Sequence, residues 1–154
     1  MIGPLPAIWS TGSTDETRQV GRELARSLEG GDIVLLHGDL GAGKTTLTKG
    51  IADGLGVSEE IQSPTFTMVA EYPAPNLGRA GWLAHIDLYR LSGTDDLDSI
   101  GLDELLNRDD AVVVVEWPER AGNVLPGARL LVQIAGDGGQ RTINATDLRA
   151  ESRP

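Results

Sequence analysis

The most restrictive feature of this chain is a glycine-rich octet, Gly38-Asp39-Leu40-Gly41-Ala42-Gly43-Lys44-Thr45, set between an apolar run and an amphipathic one. Before it, Ile33-Val34-Leu35-Leu36 is continuously apolar and β-branched at its start, the pattern of a parallel strand covered on both faces. After it, Leu47, Ile51 and Leu55 recur every four residues and mark one face of a helix that Gly56 closes. A buried strand, a tight glycine turn and a helix in that order commit the chain to an α/β fold, because parallel strands need a crossover to return the chain to the same sheet.

The octet fits G-x-x-x-x-G-K-[ST] in the strand-to-helix context that the motif requires. The glycines, Gly41 among them, let the backbone wrap until several N–H groups point inward, Ala42 and Gly43 contribute backbone only, and the following helix adds the positive end of its dipole. Such a cradle suits a di- or triphosphate. Lys44 is expected to reach the β and γ phosphate oxygens as a point charge, Thr45 to ligate Mg2+ through its hydroxyl, and Thr46 to donate to the α phosphate. Lysine is otherwise scarce: Lys44 and Lys49 are the only two among 13 basic residues, and Lys49 reads as a solvated helix residue.

A Mg2+ ion held by one hydroxyl and by phosphates calls for a carboxylate at the end of a neighbouring strand. Glu116 terminates the run Val112 to Val115 in the manner of a Walker B acid, and Asp87 ends Ala84-His85-Ile86-Asp87. Glu116 is expected to take the metal, directly or through water, and Asp87 to position a water or support the metal's ligands, with the two roles exchangeable. Ser63-Pro64-Thr65-Phe66 lies between the octet's helix and Asp87. It reads equally as a turn entering a strand and as a segment sensing the γ phosphate, with Thr65 offering its hydroxyl to the ion or to the water. Trp117 either stacks at the mouth of the site, faces a partner or packs in the core. His37 and His85 read as packing residues at strand ends rather than as bases.

Elsewhere, Ser13-Thr14-Asp15-Glu16 has the form of a capping box, opening a helix with Val20, Leu24 and Leu28 on one face and Gly30-Gly31 at its end. Ala7 to Trp9, Thr65 to Tyr72 and Trp82 to Leu88 read as strands, Ile100, Leu102, Leu105 and Leu106 as a helix, and Gly136 to Gly139 as a hairpin turn between Leu130 to Ile134 and Thr142 to Ala145. No linker divides the 154 residues, so a single domain over 1–154 is expected. The fold so read is that of a P-loop NTPase, a mostly parallel central sheet flanked by helices with an antiparallel C-terminal hairpin.

Composition narrows the function. Thirteen Lys and Arg against 23 Asp and Glu give a net charge of −10, a field that disfavours a direct grip on nucleic acid. The absence of cysteine excludes disulfides, thiolate metal sites and thiol catalysis. The longest apolar runs, at 33–36 and 111–115, fall far short of the roughly 18 residues of a membrane span, and no basic-then-apolar leader is readable, so a cytoplasmic location without membrane attachment is expected. No asparagine is followed by lysine in the Asn-Lys-x-Asp pattern of Ras-type GTPases, which favours ATP as the nucleotide. A small-molecule P-loop kinase is the alternative; Arg79 and Arg90 are the candidates for its lid, although no arginine cluster stands out.

Beyond the generic motif, GDLGAGKTTL at 38–47, SPTFT with EY at 63–67 and 71–72, HIDLYRL at 85–91, GLDE at 101–104 and VEWPE at 115–119 together resemble the TsaE family. The likeness covers about residues 13–120, and the tail beyond about Pro126 is similar only in its hairpin pattern. The resemblance implies a small bacterial ATPase required for the N6-threonylcarbamoyladenosine modification at adenosine 37 of tRNA. It implies assembly with a TsaB–TsaD heterodimer, in which TsaD transfers the threonylcarbamoyl group. It further implies that Thr45 and Glu116 bind Mg2+, that Asp87 matters for hydrolysis, that Ser63 to Phe66 behaves as a switch-like loop, that Trp117 lies close to the site, and that Thr14 contacts the nucleotide. The tRNA would then be held mainly by the partners, in keeping with the acidic composition, and hydrolysis by the chain alone would be weak.

Overall fold

The computed structural model describes residues 7–39, 41–64, 67–91, 101–121, 127–137 and 139–148. Its elements in order are β1 (Ala7–Thr11), α1 (Thr14–Ala25), β2 (Ile33–His37), α2 (Lys44–Gly54), β3 (Val69–Pro73), β4 (Trp82–Asp87), α3 (Leu102–Leu106), β5 (Ala111–Glu116), β6 (Leu130–Asp137) and β7 (Gln140–Asp147). The apolar run of β5 is buried at every position, and β5 lies inside the sheet, whose order is β1-β7-β6-β2-β5-β4-β3. The inner four strands, β6, β2, β5 and β4, are parallel neighbours. The margins are antiparallel: β7 returns beside β6, β1 pairs with β7, and β3 pairs with β4. The sheet is therefore mixed, parallel where it is covered on both faces, with the expected hairpin at the C-terminal side.

Alternation along the strands sorts two apolar layers. Leu83, Val112, Val114, Val34, Leu36, Leu130 and Val132 meet Val20 and Leu24 of α1 and Leu47 and Ile51 of α2. On the opposite face, Ile33, Ala84, Ile86, Val113 and Val115 meet Leu88, Leu91 and the α3 residues Leu102 and Leu105. Helices α1 and α2 cross in backbone contact. A Cβ on Gly21 would stand 2.4 Å from the carbonyl oxygen of Leu47, and one on Gly50 would stand 2.0 Å from that of Arg18. The same crossing is clamped by charge, since Arg18 donates to both carboxylate oxygens of Asp53 and Arg22 adds a third bond at 3.2 Å.

Several boundaries differ from the sequence expectation. Helix α1 stops at Ala25, not at the glycine pair, because the N–H groups of Arg26, Ser27 and Leu28 bond three residues back and tighten the chain. Leu28 is still buried, now from a turn. The capping box forms, with the Ser13 hydroxyl accepting from the Glu16 N–H, but the Glu16 carboxylate reaches back to Gly12. Helix α2 ends as read: the N–H groups of Gly56 and Val57 bond to Asp53 and Ala52 carbonyls with Gly56 at φ +84°. Strand β3 starts only at Val69, after Met68 at φ +62° turns the chain. Strand β4 ends at Asp87, which leaves Leu88 to fill the lower layer. Thr65, Phe66 and Ile100 lie outside the described residues. Among the described residues no helix is long and apolar enough to cross a membrane.

Candidate functional site

The glycine octet leaves the C-terminal end of β2 and enters α2 at Lys44. Its path needs glycine at both ends. A Cβ on Gly38 would stand 2.5 Å from the Ile134 carbonyl oxygen on β6, and Gly43, the cap of α2, has φ +107°. Gly43 has no side chain to cap the helix, and the first turn carries no acidic residue. The leading N–H groups of α2, which have no partner within the helix, therefore remain for an outside acceptor, with the positive end of the helix dipole behind them. They border a cleft of about 690 Å³ lined by Gly41, Gly43, Lys44, Thr45 and Thr46 on one side and by Asp87, Glu116 and Trp117 on another.

Lys44 is only 5 % exposed. Its ammonium donates to the Gly38 carbonyl oxygen at 2.5 Å and lies 3.5 Å from the centroid of the Trp117 ring. Burial pulls its pKa below the ordinary lysine range, against the opposing pull of Glu116, Asp87, Glu119 and Asp39. Trp117 reaches that position because the chain turns sharply after β5, at φ +58°, a conformation costing a bulky residue about 1–3 kcal/mol. The indole also meets Tyr89, centroid to centroid at 4.9 Å, and the Arg120 guanidinium lies 5.3 Å from the Tyr89 ring. Trp117 thus lines the cleft and also packs, partly buried, against the core layer of Ile86 and Val115, so the first and third readings made for it meet in one side chain.

The two acids stand side by side because β4 and β5 are parallel neighbours in a register that pairs Asp87 with Glu116. Alternation puts them on the α2 face: Leu83, Val112 and Val114, an even number of residues earlier, all pack in the layer beneath α1 and α2. Asp87 accepts from the Ser63 hydroxyl at 3.1 Å and from the Tyr89 N–H at 3.0 Å, which fixes its carboxylate and ties the segment before β3 to the cleft. Glu116 is 3 % exposed, and its Oε2 meets Nε2 of the fully buried His85.

Of the residues singled out from the sequence, Thr14, Gly41, Gly43, Lys44, Thr45, Thr46, Ser63, Asp87, Arg90, Glu116 and Trp117 line this one cleft, whereas Arg79 is not among its lining residues. Nor is Ala42; it is 5 % exposed and packs in the core beneath the loop. Thr65 lies outside the described residues. His85 does not sit at a strand end but within β4, engaged with Glu116; its signal was the two-residue spacing to Asp87, which puts both on one face. His37 is more exposed and stands 3.4 Å from Glu119. Tyr89 and Arg141 are among the cleft residues that the sequence reading did not single out. Tyr89 lies within the HIDLYRL block at 85–91 but was given no role there. Arg141 of β7 donates to the Gly41 carbonyl oxygen at 3.1 Å. Its side chain crosses Gly136 on β6, where a Cβ would stand 2.5 Å from the Arg141 Cδ.

Among the described residues no cluster of three or more histidine or acidic side chains is arranged to hold a metal by itself. The Thr45 hydroxyl and the carboxylates of Glu116 and Asp87 nevertheless line one cleft. Oxygen donors in that small number fit Mg2+, which keeps several waters and takes the remainder of its shell from phosphate.

An α/β protein with a mixed sheet, a glycine-rich strand-to-helix loop and paired strand-end acids is the class this geometry defines. The family model for threonylcarbamoyl adenosine biosynthesis protein TsaE matches residues 11–143. A tRNA threonylcarbamoyladenosine biosynthesis protein TsaE from Streptomyces coelicolor is 47 % identical over 118 residues, 76 % of this chain and 77 % of that protein. The Bacillus subtilis protein of the same name is 41 % identical over 131 residues, 84 % and 78 % of the two chains. A crystal structure of Bacillus subtilis YdiB superposes with a TM-score of 0.72 at 32 % identity, covering 96 % of this chain and 89 % of that one. The chain belongs to the TsaE family, whose place is in tRNA threonylcarbamoyladenosine biosynthesis.

Proposed function

We propose that this chain is a Mg2+-dependent ATPase acting with TsaB and TsaD in the modification of adenosine 37 of tRNA. The observation that carries the reading is the convergence, in one cleft, of Lys44, the uncapped start of α2, Thr45 and the adjoining acids Asp87 and Glu116. Bound Mg2+ would supply neutralisation of the polyphosphate's negative charge. Thr45 and Glu116 would hold it. The amides of Gly41, Ala42, Gly43 and Thr46 would cradle the phosphates, and Lys44, leaving the Gly38 carbonyl and the Trp117 ring, would stabilise charge developing on the γ phosphate. Asp87, oriented by Ser63 and the Tyr89 N–H, would position a water for in-line attack. Thr14, at the start of α1, would contact the nucleotide, and Thr65 would belong to the segment that senses the γ phosphate. A net charge of −10 supports a division of labour in which partner proteins hold the tRNA.

The test is phosphate release from ATP by the native chain and by Lys44→Ala, each alone and with TsaB, TsaD and tRNA. Release without any small-molecule acceptor, enhanced by the partners and lowered at least about 100-fold by the substitution, is expected. Mg-ATP binding with background release in the full mixture would overturn the catalytic reading. Phosphate transfer that required a small-molecule acceptor would instead identify a kinase.

A further inference from the structure

We propose that His85 is a positioning residue, which fixes the Glu116 carboxylate in the orientation that serves the cleft. The inference rests on the reading of that cleft as a Mg-nucleotide site. His85 is fully buried on the α2 face of β4, between Leu83, which packs in the core layer, and Asp87, which lines the cleft. Its position in the ladder is opposite Val114, one alternation short of Glu116, so the imidazole meets Glu116 diagonally across the two strands. Nε2 contacts the Glu116 Oε2, and Nδ1 has no hydrogen-bond partner among the described residues.

Those observations separate a positioning role from plain packing. An apolar side chain of similar volume would fill the place between Leu83 and Asp87 without leaving a buried ring nitrogen unpaired, so packing alone gives no reason for an imidazole. A glutamate has freely turning side-chain bonds, and a nearly buried carboxylate needs a donor. A ring N–H held rigidly in the sheet supplies that donor at a fixed direction. With Oε2 engaged from within the sheet, Oε1 is left for the cleft that Glu116 lines. For the ring to donate to the carboxylate, the proton of this contact must sit on Nε2. Residues placed behind a metal-binding carboxylate in this way set its orientation and thereby the affinity of the ion.

The experiment is a calorimetric Mg2+ titration of the nucleotide-loaded chain, with Mg2+-free nucleotide affinity and thermal midpoint measured alongside, for the native protein, His85→Gln and His85→Leu. The glutamine amide places a donor near the Nε2 position; leucine keeps apolar volume and removes the donor. In His85→Leu the Mg2+ half-saturation is expected to rise about tenfold or more, and in His85→Gln to return to within about threefold of native. Mg2+-free nucleotide affinity should be unchanged in both. A folded His85→Leu chain with native Mg2+ half-saturation overturns the proposal, as does a glutamine variant impaired as severely as leucine. Should neither variant fold, nitrogen NMR of the native histidine decides: Nε2 carrying the proton is expected, and a bare Nε2 overturns the proposal. A native chain that took up nucleotide but whose variants bound Mg2+ normally would sink the His85 role alone, whereas a native chain that took up no nucleotide would sink the reading of the cleft as well.

Discussion

The ammonium of Lys44 lies 3.5 Å from the centroid of the Trp117 ring while donating to the Gly38 carbonyl oxygen. A cation on an indole face is held by about 0.5–2 kcal/mol, little enough for a polyphosphate to outbid. Binding of Mg-ATP is therefore expected to draw the ammonium off the ring and change Trp117 emission. The measurement is a fluorescence titration in a Trp9→Phe, Trp82→Phe background, which leaves Trp117 as the sole tryptophan. Emission that stays constant while calorimetry reports binding would show that Lys44 keeps its present contacts.

Asp87 and Glu116 are register partners, yet their surroundings differ: Asp87 takes its bonds from Ser63 and a backbone N–H, Glu116 from a buried imidazole. Glu116→Gln is expected to raise the Mg2+ concentration required for nucleotide binding by at least about tenfold. Asp87→Asn should leave that requirement near native while lowering the turnover number about 100-fold. A titration of turnover against Mg2+ for both variants separates the roles, and the reverse pattern would exchange them.

Gly50 and Gly21 let α1 and α2 touch through their main chains. A methyl group at Gly50 would meet a backbone carbonyl, which no change of rotamer can move. Gly50→Ala is expected to cost about 2–3 kcal/mol in urea-induced unfolding, in spite of the higher helix propensity of alanine. A stability equal to native would show that the helices can part without penalty.

Asp53 is held below the ordinary carboxylate range, first by the hydrogen bond from Arg18 and then by the charges of Arg18 and Arg22. Because its folded pKa is depressed, its contribution is fully present above the unfolded aspartate value and is lost as pH falls through the folded one. Asp53→Asn is expected to destabilise the chain by about 1 kcal/mol at neutral pH, a modest figure because water screens the partly exposed pair. The gap between variant and native should narrow as pH falls below about 4, as followed by thermal midpoint.

The parts of the fold that could be read in advance were those in which burial imposes a pattern. Ile33 to Leu36 and Ala111 to Val115 are apolar without interruption because both of their faces are covered. The glycine octet was legible because its backbone tolerates so few other residues. The role of His85 was not: its spacing to Asp87 puts the two on one face, but the neighbour it meets, Glu116, emerges only from the register of β4 against β5. Arg141 escaped for a related reason: it follows Gly41 by 100 positions in the chain, and only the pairing of β6 with β7 brings it to the loop. The early end of α1 came down to local turn bonding at Arg26 to Leu28, which competes with the apolar spacing that Leu28 appeared to extend.

Arg141 also gives the hairpin a mechanical meaning. Strand β7 stands next to the outermost strand β1, yet its guanidinium grips the carbonyl of Gly41 at the mouth of the cleft. Rim and mouth are thus joined directly, so the C-terminal hairpin supplies part of the wall against which the glycine loop rests.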